Sequence, residues 1–130
     1  MDYNIQGKTA IIGGSSKGLG KACAIALAKE GVNIVLCARN KESLQHTKHE
    51  IESYGVRVLA LSADMASEAD NRMIVEKTLE KFGTVDILVN NSGGPKPGTF
   101  RDISEDDLDN AFQSVLKSNI RMINLCLHHM

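Results

Sequence analysis

Short apolar runs alternate with segments of helical periodicity along the whole of this 130-residue chain. The runs predict four buried strands, at residues 9–12, 32–37, 56–61 and 85–90, because none of them alternates with polar residues. The helical segments between these strands end at glycines, at positions 31, 55 and 83. A β-α-β-α-β-α-β-α order requires parallel strands joined by crossovers, so we predict an α/β fold in which helices cover both faces of a doubly wound sheet.

Composition excludes several classes of function. The net charge of −1 gives no electrostatic basis for binding nucleic acid or an anionic membrane. No apolar run reaches the roughly 18 residues that a membrane span needs, and the N-terminus shows no signal-peptide pattern, so we expect a cytoplasmic protein. The cysteines, Cys23, Cys37 and Cys126, lack metal-ligand spacing and are expected to be reduced and partly buried. Adjacent His128 and His129 point in different directions on a helix, so we predict no metal site.

The segment GGSSKGLG, residues 13–20, follows the first predicted strand and opens the first helix. A nucleoside-triphosphatase loop needs lysine where Leu19 stands, and G-x-G-x-x-G needs a third glycine where Cys23 stands. The pattern that remains is G-x-x-x-G-x-G, formed by Gly14, Gly18 and Gly20. Such glycines permit a tight turn and a close approach of a pyrophosphate to the helix N-terminus. A plain tight turn is the alternative, but a position between a strand and a helix favours nucleotide binding.

The end of the second strand carries a cation where an NAD site carries an acid for the ribose 2′-hydroxyl. The letters LCARN place Ala38 and Arg39 there. Arginine suits a 2′-phosphate, and Lys17 in the glycine loop adds a second positive charge. The missing acid also argues against an S-adenosylmethionine site. We therefore predict NADP(H) in preference to NAD(H); the alternative is that both cations are solvated surface charges.

Two further motifs follow the third and fourth strands, SADM with Asp64 and NNSGG from Asn90. Together with GGSSKGLG, they resemble the short-chain dehydrogenase/reductase family, near its 3-oxoacyl-acyl-carrier-protein reductase type. The resemblance extends over essentially all residues. It implies a Rossmann-type parallel sheet, here its N-terminal part of about four strands in the order 3-2-1-4. It also implies an oxidoreductase that transfers hydride from NADP(H) to a ketone or a 3-oxoacyl thioester.

The resemblance also assigns roles to individual residues. Gly13 replaces the family's threonine, and Ser92 replaces an alanine. Asp64 resembles the aspartate that contacts the adenine amino group, with Met65 helping through its backbone. The resemblance further implies that the two asparagines of NNSGG brace the fourth strand and contact the cofactor. The expected cofactor-binding residues are Gly14, Ser15, Ser16, Lys17, Gly18, Leu19, Gly20, Arg39, Asn40, Asp64, Met65, Asn90, Asn91, Ser92 and Gly93.

The chain lacks the Y-x-x-x-K pair with which the family donates a proton to the developing alkoxide. Neither Tyr3 nor Tyr54 has a lysine four residues on. In the family this pair lies beyond the fourth strand, past the point at which this chain stops. The family's helix asparagine falls at Val115, and Asn119 lies one turn further. A local shift could make Asn119 a substitute, but we expect it to be a polar helix residue without a catalytic role.

The last predicted helix begins at Ser104, where SEDD fits a capping box, and runs through Leu127 without a stop signal. We therefore expect residues 1–130 to be an incomplete dinucleotide-binding domain. The fourth strand would then be a bare edge, and the helix would expose an apolar face through which the chain forms a homo-oligomer.

Three functions remain open from the sequence. The favoured one is the cofactor-binding half of an NADP-dependent reductase that acts on a small molecule. The second is a dinucleotide-binding module without chemistry, and the third is an interaction module that pairs with another chain through its open edge. The resemblance leaves the substrate undetermined, because in the family it is set largely by the C-terminal segment.

Overall fold

Four parallel strands form one sheet in the computed structural model, which describes all 130 residues. The strands are β1 (Thr9–Ile12), β2 (Asn33–Ala38), β3 (Val58–Ser62) and β4 (Ile87–Val89). Their order across the sheet is β3-β2-β1-β4, and every neighbouring pair is parallel. The predicted order 3-2-1-4 is therefore confirmed. The predicted fourth strand, residues 85–90, is longer than the observed β4, which pairs along one side only, with β1.

The helices are α1 (Gly18–Lys29), α2 (Lys41–Glu52), α3 (Glu68–Phe82), α4 (Glu105–Ala111) and α5 (Ser118–Leu127), with a π-helical segment (Phe112–Lys117) between the last two. Side chains cap α2, α3 and α4 at Asn40, Ser67 and Ser104, and the capping box predicted at Ser104 is present with Asp107. Gly83 ends α3 in the left-handed conformation, at φ 77°.

The predicted last helix is continuous but not regular. Between α4 and α5 the backbone widens into the π segment, which sequence periodicity did not indicate. At its end the Ser118 hydroxyl donates to the Ser114 carbonyl at 2.6 Å. Such a bond competes for the carbonyl that an α-helix uses, and π turns commonly mark places where the regular ladder is perturbed.

Helices cover both faces of the sheet, as a doubly wound fold requires. One buried cluster contains Ile12 of β1 together with Ala24 of α1 and Leu44 of α2. The cluster on the other face contains Ile11 together with Ile74 of α3, and extends to Met122 and Cys126 of α5. Because successive strand residues point to opposite faces, β1 holds the two layers together. No helix combines the length and the apolar character that a membrane crossing needs.

The outer side of α4, the π segment and α5 exposes a row of large apolar side chains. This apolar row consists of Leu108, Phe112, Leu116, Ile120, Ile123 and Leu127. The spacing of four and three residues places them along one side of the helix. The expected exposed apolar face is therefore present.

Candidate cofactor site

An open cleft of about 850 Å³ lies at the carboxyl ends of the strands, where doubly wound sheets bind ligands. Its walls come from the glycine loop, the ends of β2 and β3, the loop after β4, and α4 with the π segment. The lining residues are Gly14, Ser16, Lys17, Gly18, Ala38, Arg39, Asn40, Ala63, Asp64, Met65, Ala66, Asn91, Ser92, Gly93, Gly94, Asn110, Gln113 and Ser114.

The glycine loop is fixed from inside by Ser15, which is fully buried. Its hydroxyl donates to the Ile12 carbonyl at 2.8 Å and accepts from the Cys37 N–H at 2.9 Å. Its own N–H donates to the Cys37 carbonyl at 3.1 Å. These bonds join the loop to the end of β2. Ser15 was expected to contact the cofactor, and here it faces the sheet instead of lining the cleft.

The glycine loop also touches the loop after β4. The Asn91 side-chain amide donates to the carbonyls of Gly13 and Gly14 at 3.2 and 3.4 Å. A Cβ at Gly13 would run into the Asn91 carbonyl oxygen, and one at Gly20 would meet the Gly14 carbonyl. The close approach of these segments therefore explains why glycine stands at both positions.

A third tie reaches the glycine loop from α2. Thr47 is buried, and its hydroxyl donates to the Ser16 carbonyl at 2.9 Å. Nearby, Lys21 of α1 and Glu50 of α2 form an ion pair at 2.6 Å. Hydrogen bonding to Lys21 holds the pKa of the Glu50 carboxyl below its usual value. The backbone beside Lys17 is thus positioned by α2 without any ligand.

Two exposed cations are among the residues that line the cleft. Lys17 and Arg39 both line it, and neither forms an ion pair. The backbone beneath Arg39 is fixed, because the Ser62 hydroxyl donates to its carbonyl at 3.2 Å and the Ala63 N–H to the Ala38 carbonyl at 3.0 Å. The arrangement leaves both positive groups available to an anion.

The α1 N-terminus differs from those of α2, α3 and α4. No side chain caps it, and its first turn contains no acidic residue. The first N–H groups of a helix have no partner within the helix, and the helix dipole places partial positive charge there. With Gly18 lining the cleft, these donors lie beside it.

The segment after β3 forms the side wall. Asp64 is exposed and Met65 is buried, and both line the cleft. The Asp70 carboxylate accepts from the Asp64 N–H at 2.7 Å, and the Asp64 carboxylate accepts from the Ala66 N–H at 2.9 Å. The Asp64 carboxylate therefore lies over its own loop at the mouth of the cleft.

Four expected contact residues lie outside the cleft lining: Ser15, Leu19, Gly20 and Asn90. Leu19 is exposed on α1. Asn90 donates through Nδ2 to the Asn119 carbonyl at 3.4 Å, while its buried Oδ1 has no partner. Asn90 thus ties the end of β4 to α5. The other expected residues all line the cleft.

Sequence reasoning missed one wall of the cleft. Asn110, Gln113 and Ser114 line it from α4 and the π segment, whereas neither Val115 nor Asn119 does. Gln113 and Ser114 follow Asn110 by three and four residues, and this spacing is the signal that places all three on one side of a helix.

Neither the cysteines nor the acidic side chains form a second reactive centre. No group of three or more His, Cys, Asp or Glu side chains is arranged to hold a metal ion. Cys37 and Cys126 are buried, and Cys23 is exposed. Burial raises the pKa of the Cys37 thiol to about 12, with a further contribution from Cys126, whose own pKa burial raises to about 11. Both thiols are therefore inert near neutral pH.

Comparison with known proteins places these features in a family. The short chain dehydrogenase profile matches residues 8–130. The L-sorbose reductase of Gluconobacter frateurii, solved with NADPH and L-sorbose, is 34% identical and superimposes with a TM-score of 0.96 over 100% of this chain and 50% of its own. A 7α-hydroxysteroid dehydrogenase solved with NADH and 7-oxo glycochenodeoxycholic acid is 33% identical, with a TM-score of 0.91 over 97% of this chain and 49% of its own.

A curated relative gives the same result from sequence. The BbsD subunit of (2S)-[(R)-hydroxy(phenyl)methyl]succinyl-CoA dehydrogenase from Thauera aromatica is 35% identical over 97% of this chain and 51% of its own length. The chain spans about half the length of such relatives or less; for General stress protein 39 of Bacillus subtilis the share is 39%. On its motifs, its fold and these matches, the chain belongs to the short-chain dehydrogenase/reductase family.

Proposed function

We propose that this chain is the cofactor-binding half of an NADP-dependent oxidoreductase of the short-chain dehydrogenase/reductase type. The observation that carries the proposal is a cleft that borders the α1 N-terminus and is also lined by two cations without ion-pair partners, Lys17 and Arg39. NADP(H) needs both elements, the helix N-terminus for its pyrophosphate and the cations for its 2′-phosphate.

The pyrophosphate is assigned to the glycine loop. The absence of a side-chain cap leaves the first N–H groups of α1 free to bind an anion, and no acid in that turn opposes it. Ser15, Thr47 and Asn91 hold the loop from three directions. Such a loop need not be ordered by the ligand, so less binding free energy is lost on association.

The choice of NADP(H) over NAD(H) is assigned to Arg39 and Lys17. Relatives have been solved with either cofactor, NADPH in the sorbose reductase and NADH in the hydroxysteroid dehydrogenase, so membership of the family does not decide it. No acid stands at the end of β2 to accept the ribose hydroxyls of NAD. A guanidinium and an ammonium that both line the cleft favour a phosphate.

The remaining walls are assigned to the two ends of the cofactor. We assign the adenine to the Asp64–Met65 segment and the nicotinamide side to the loop that begins at Asn91 and includes Ser92 and Gly93. When bound, the cofactor supplies or accepts a hydride. This chain's own residues bind and orient it, and the polar side chains of Asn110 and Gln113 form the wall that faces it.

The reaction that we propose for the complete protein is reduction of a ketone or a 3-oxoacyl thioester, on the strength of the motif resemblance to the 3-oxoacyl-acyl-carrier-protein reductase type. Within this chain neither tyrosine lines the cleft, and neither precedes a lysine at the required spacing. Proton transfer therefore falls to residues outside it. The same observation supports a second candidate, a dinucleotide-binding module without chemistry. Carbonyl-dependent oxidation of NADPH by the complete protein would exclude that candidate.

A second copy of the chain is the partner that we propose for the apolar row. The row is continuous over α4, the π segment and α5 and contains no charged side chain. Exposed stripes of this kind are typical of helix–helix association.

Calorimetric titration with NADPH and NADH tests the cofactor assignment. We expect NADPH to bind at least about tenfold more tightly than NADH, a difference of about 1.4 kcal/mol. Arg39→Ala should remove that preference while leaving the affinity for NADH unchanged. Arg57→Ala is the matched control, because Arg57 is an exposed arginine that precedes β3. It therefore lies at the amino ends of the strands, whereas Arg39 lies at their carboxyl ends. Equal affinities for the two cofactors in the folded chain would contradict the NADP assignment, and binding of neither would contradict the function.

A further inference from the structure

A buried asparagine of α3 joins the side wall of the cleft to α5. Asn71 is fully buried. Its Nδ2 donates to the Met65 carbonyl at 2.9 Å, and its Oδ1 accepts from the Arg121 guanidinium at 2.9 Å. The partners lie six residues before it and fifty residues after it in the chain. Neither bond belongs to a helix cap or a turn.

Both bonds depend on one orientation of the amide. The Met65 carbonyl only accepts hydrogen bonds and the guanidinium only donates them, so the nitrogen must face Met65 and the oxygen must face Arg121. A reversed amide would place oxygen against oxygen and N–H against N–H. Because a buried polar group without a partner is costly, Arg121 stabilises the orientation that serves Met65.

The carbonyl that Asn71 binds belongs to the segment that lines the cleft. The Asp64 N–H is already held by Asp70, one residue before Asn71 on the first turns of α3. Asn71 holds the Met65–Ala66 peptide, two peptides further on, from its carbonyl side. Asp70 thus accepts from an N–H of the Asp64–Met65 segment, and Asn71 donates to a carbonyl of it. Of the two, only Asn71 is also bonded to α5, through Arg121.

The charges around Arg121 are consistent with a fixed guanidinium. Arg121 is only partly exposed, and it contributes to the lowered pKa of the nearby Glu68, after the larger effect of Arg72. Arg72 pairs with Glu68 at 2.9 Å on the exposed side of α3. The two arginines therefore flank the same helix, but only Arg121 reaches Asn71.

We propose that Asn71 and Arg121 are positioning residues that set the adenine-side wall of the cleft. This inference rests on the proposed function, which places the adenine against Asp64 and Met65. It assigns to α5, a helix that does not line the cleft, a defined effect on recognition of the base. Arg121 acts only through Asn71, and Asn71 acts only through the Met65 carbonyl.

The test compares NADPH with its hypoxanthine analogue, in which a carbonyl replaces the adenine 6-amino group. The measured quantity is the ratio of their dissociation constants, determined by calorimetry on the 130-residue chain. Asn71→Asp keeps an acceptor for Arg121 but turns an oxygen towards Met65. Arg121→Met removes the guanidinium and leaves Asn71 in place. We expect the wild-type preference for adenine to fall by about tenfold in the first variant, the equivalent of one hydrogen bond, and by a smaller factor in the second.

Two control variants separate positioning from general destabilisation. Arg121→Lys keeps a donor and should retain most of the preference. Arg72→Met removes the neighbouring exposed arginine and should leave the ratio unchanged. If Asn71→Asp does not fold, the contrast between Arg121→Met and Arg121→Lys carries the test. An unchanged ratio in folded Arg121→Met, or a wild-type chain that binds NADPH without a base preference, would overturn this inference alone. A folded wild-type chain that binds no NADPH would overturn the proposed function, and this inference with it.

Discussion

The loops around the cleft differ from the outer side of the last helices in how their side chains are used. Around the cleft, buried side chains bond directly to loop backbone, as Ser15 does at Cys37, Thr47 at Ser16 and Asn71 at Met65. On the outer side of α4, the π segment and α5, large apolar side chains face solvent. The first region is held in place by this chain alone, whereas the second has an uncovered surface. The loops of the cleft are therefore held in place even while the surface of the last helices is exposed.

Truncation of an apolar side chain should cost far more stability inside the sheet than in the apolar row. Leu36 of β2 is fully buried in the sheet, and Leu36→Ala should lower the free energy of unfolding by about 3 kcal/mol because it leaves a cavity. Leu116→Ala in the apolar row, measured where the chain is monomeric, should change it by less than about 0.5 kcal/mol. Urea denaturation measures both. Equal losses would show that the row is covered within the monomer.

Removal of the tie between the two loops should affect both stability and binding. Asn91→Ala leaves the carbonyls of Gly13 and Gly14 without their side-chain donor. We expect a loss of about 1–2 kcal/mol in stability and about tenfold weaker NADPH binding. Asn119→Ala is the matched control, because Asn119 receives its bond through its backbone carbonyl and does not line the cleft. A similar loss of affinity in the control would restore Asn119 as a functional residue.

Charges placed in the apolar row should affect association without affecting the fold. Leu116→Asp combined with Ile120→Asp should convert a self-associating chain into a monomer, as read by light scattering coupled to size exclusion. The melting temperature measured at low protein concentration should stay within a few degrees. Gln45→Asp on the exposed side of α2 is the control for added charge. An unchanged mass in the double variant would exclude the row as the interface.

The rates at which the three thiols are alkylated should also distinguish the buried sheet from the last helices. Cys23 is exposed and should be the first of the three to react with iodoacetamide. Cys37 and Cys126 should react far more slowly between pH 7 and 9, because burial raises their pKa values to about 12 and about 11 and leaves almost no thiolate. Cys126 lies on α5 beside the uncovered surface, so it should label before Cys37, as mass spectrometry of the digested protein can show. Earlier labelling of Cys37 would reverse the assignment of the more stable region.

Local sequence signals predicted the elements well because each depends on neighbours in the chain. The strand at Thr9–Ile12, the capping box at Ser104 and the helix stop at Gly83 all follow from residues within a few positions. The strand order and the family also followed from motif order. These features required no knowledge of distant contacts.

The contacts that hold the site were not predictable in the same way. Ser15 bonds to a residue 22 positions away and Asn71 to one 50 positions away, and neither pairing leaves a periodic trace. Ser15 lies within a nucleotide-binding pattern, which predicts a contact with the cofactor and gives no indication of its bonds to β2. The π segment was missed because its side-chain spacing still resembles that of an α-helix. The wall at Gln113 and Ser114 was missed with it.

We infer that the carboxyl edge of the sheet binds NADPH in this chain alone. Amide chemical shifts of the ¹⁵N-labelled chain, followed by NMR during titration with NADPH, test it most directly. We expect saturable shifts at the glycine loop, at Arg39 and at Ala66, with little change along the apolar row. Shifts confined to α4 and α5, or no shifts from a folded chain at millimolar NADPH, would contradict it.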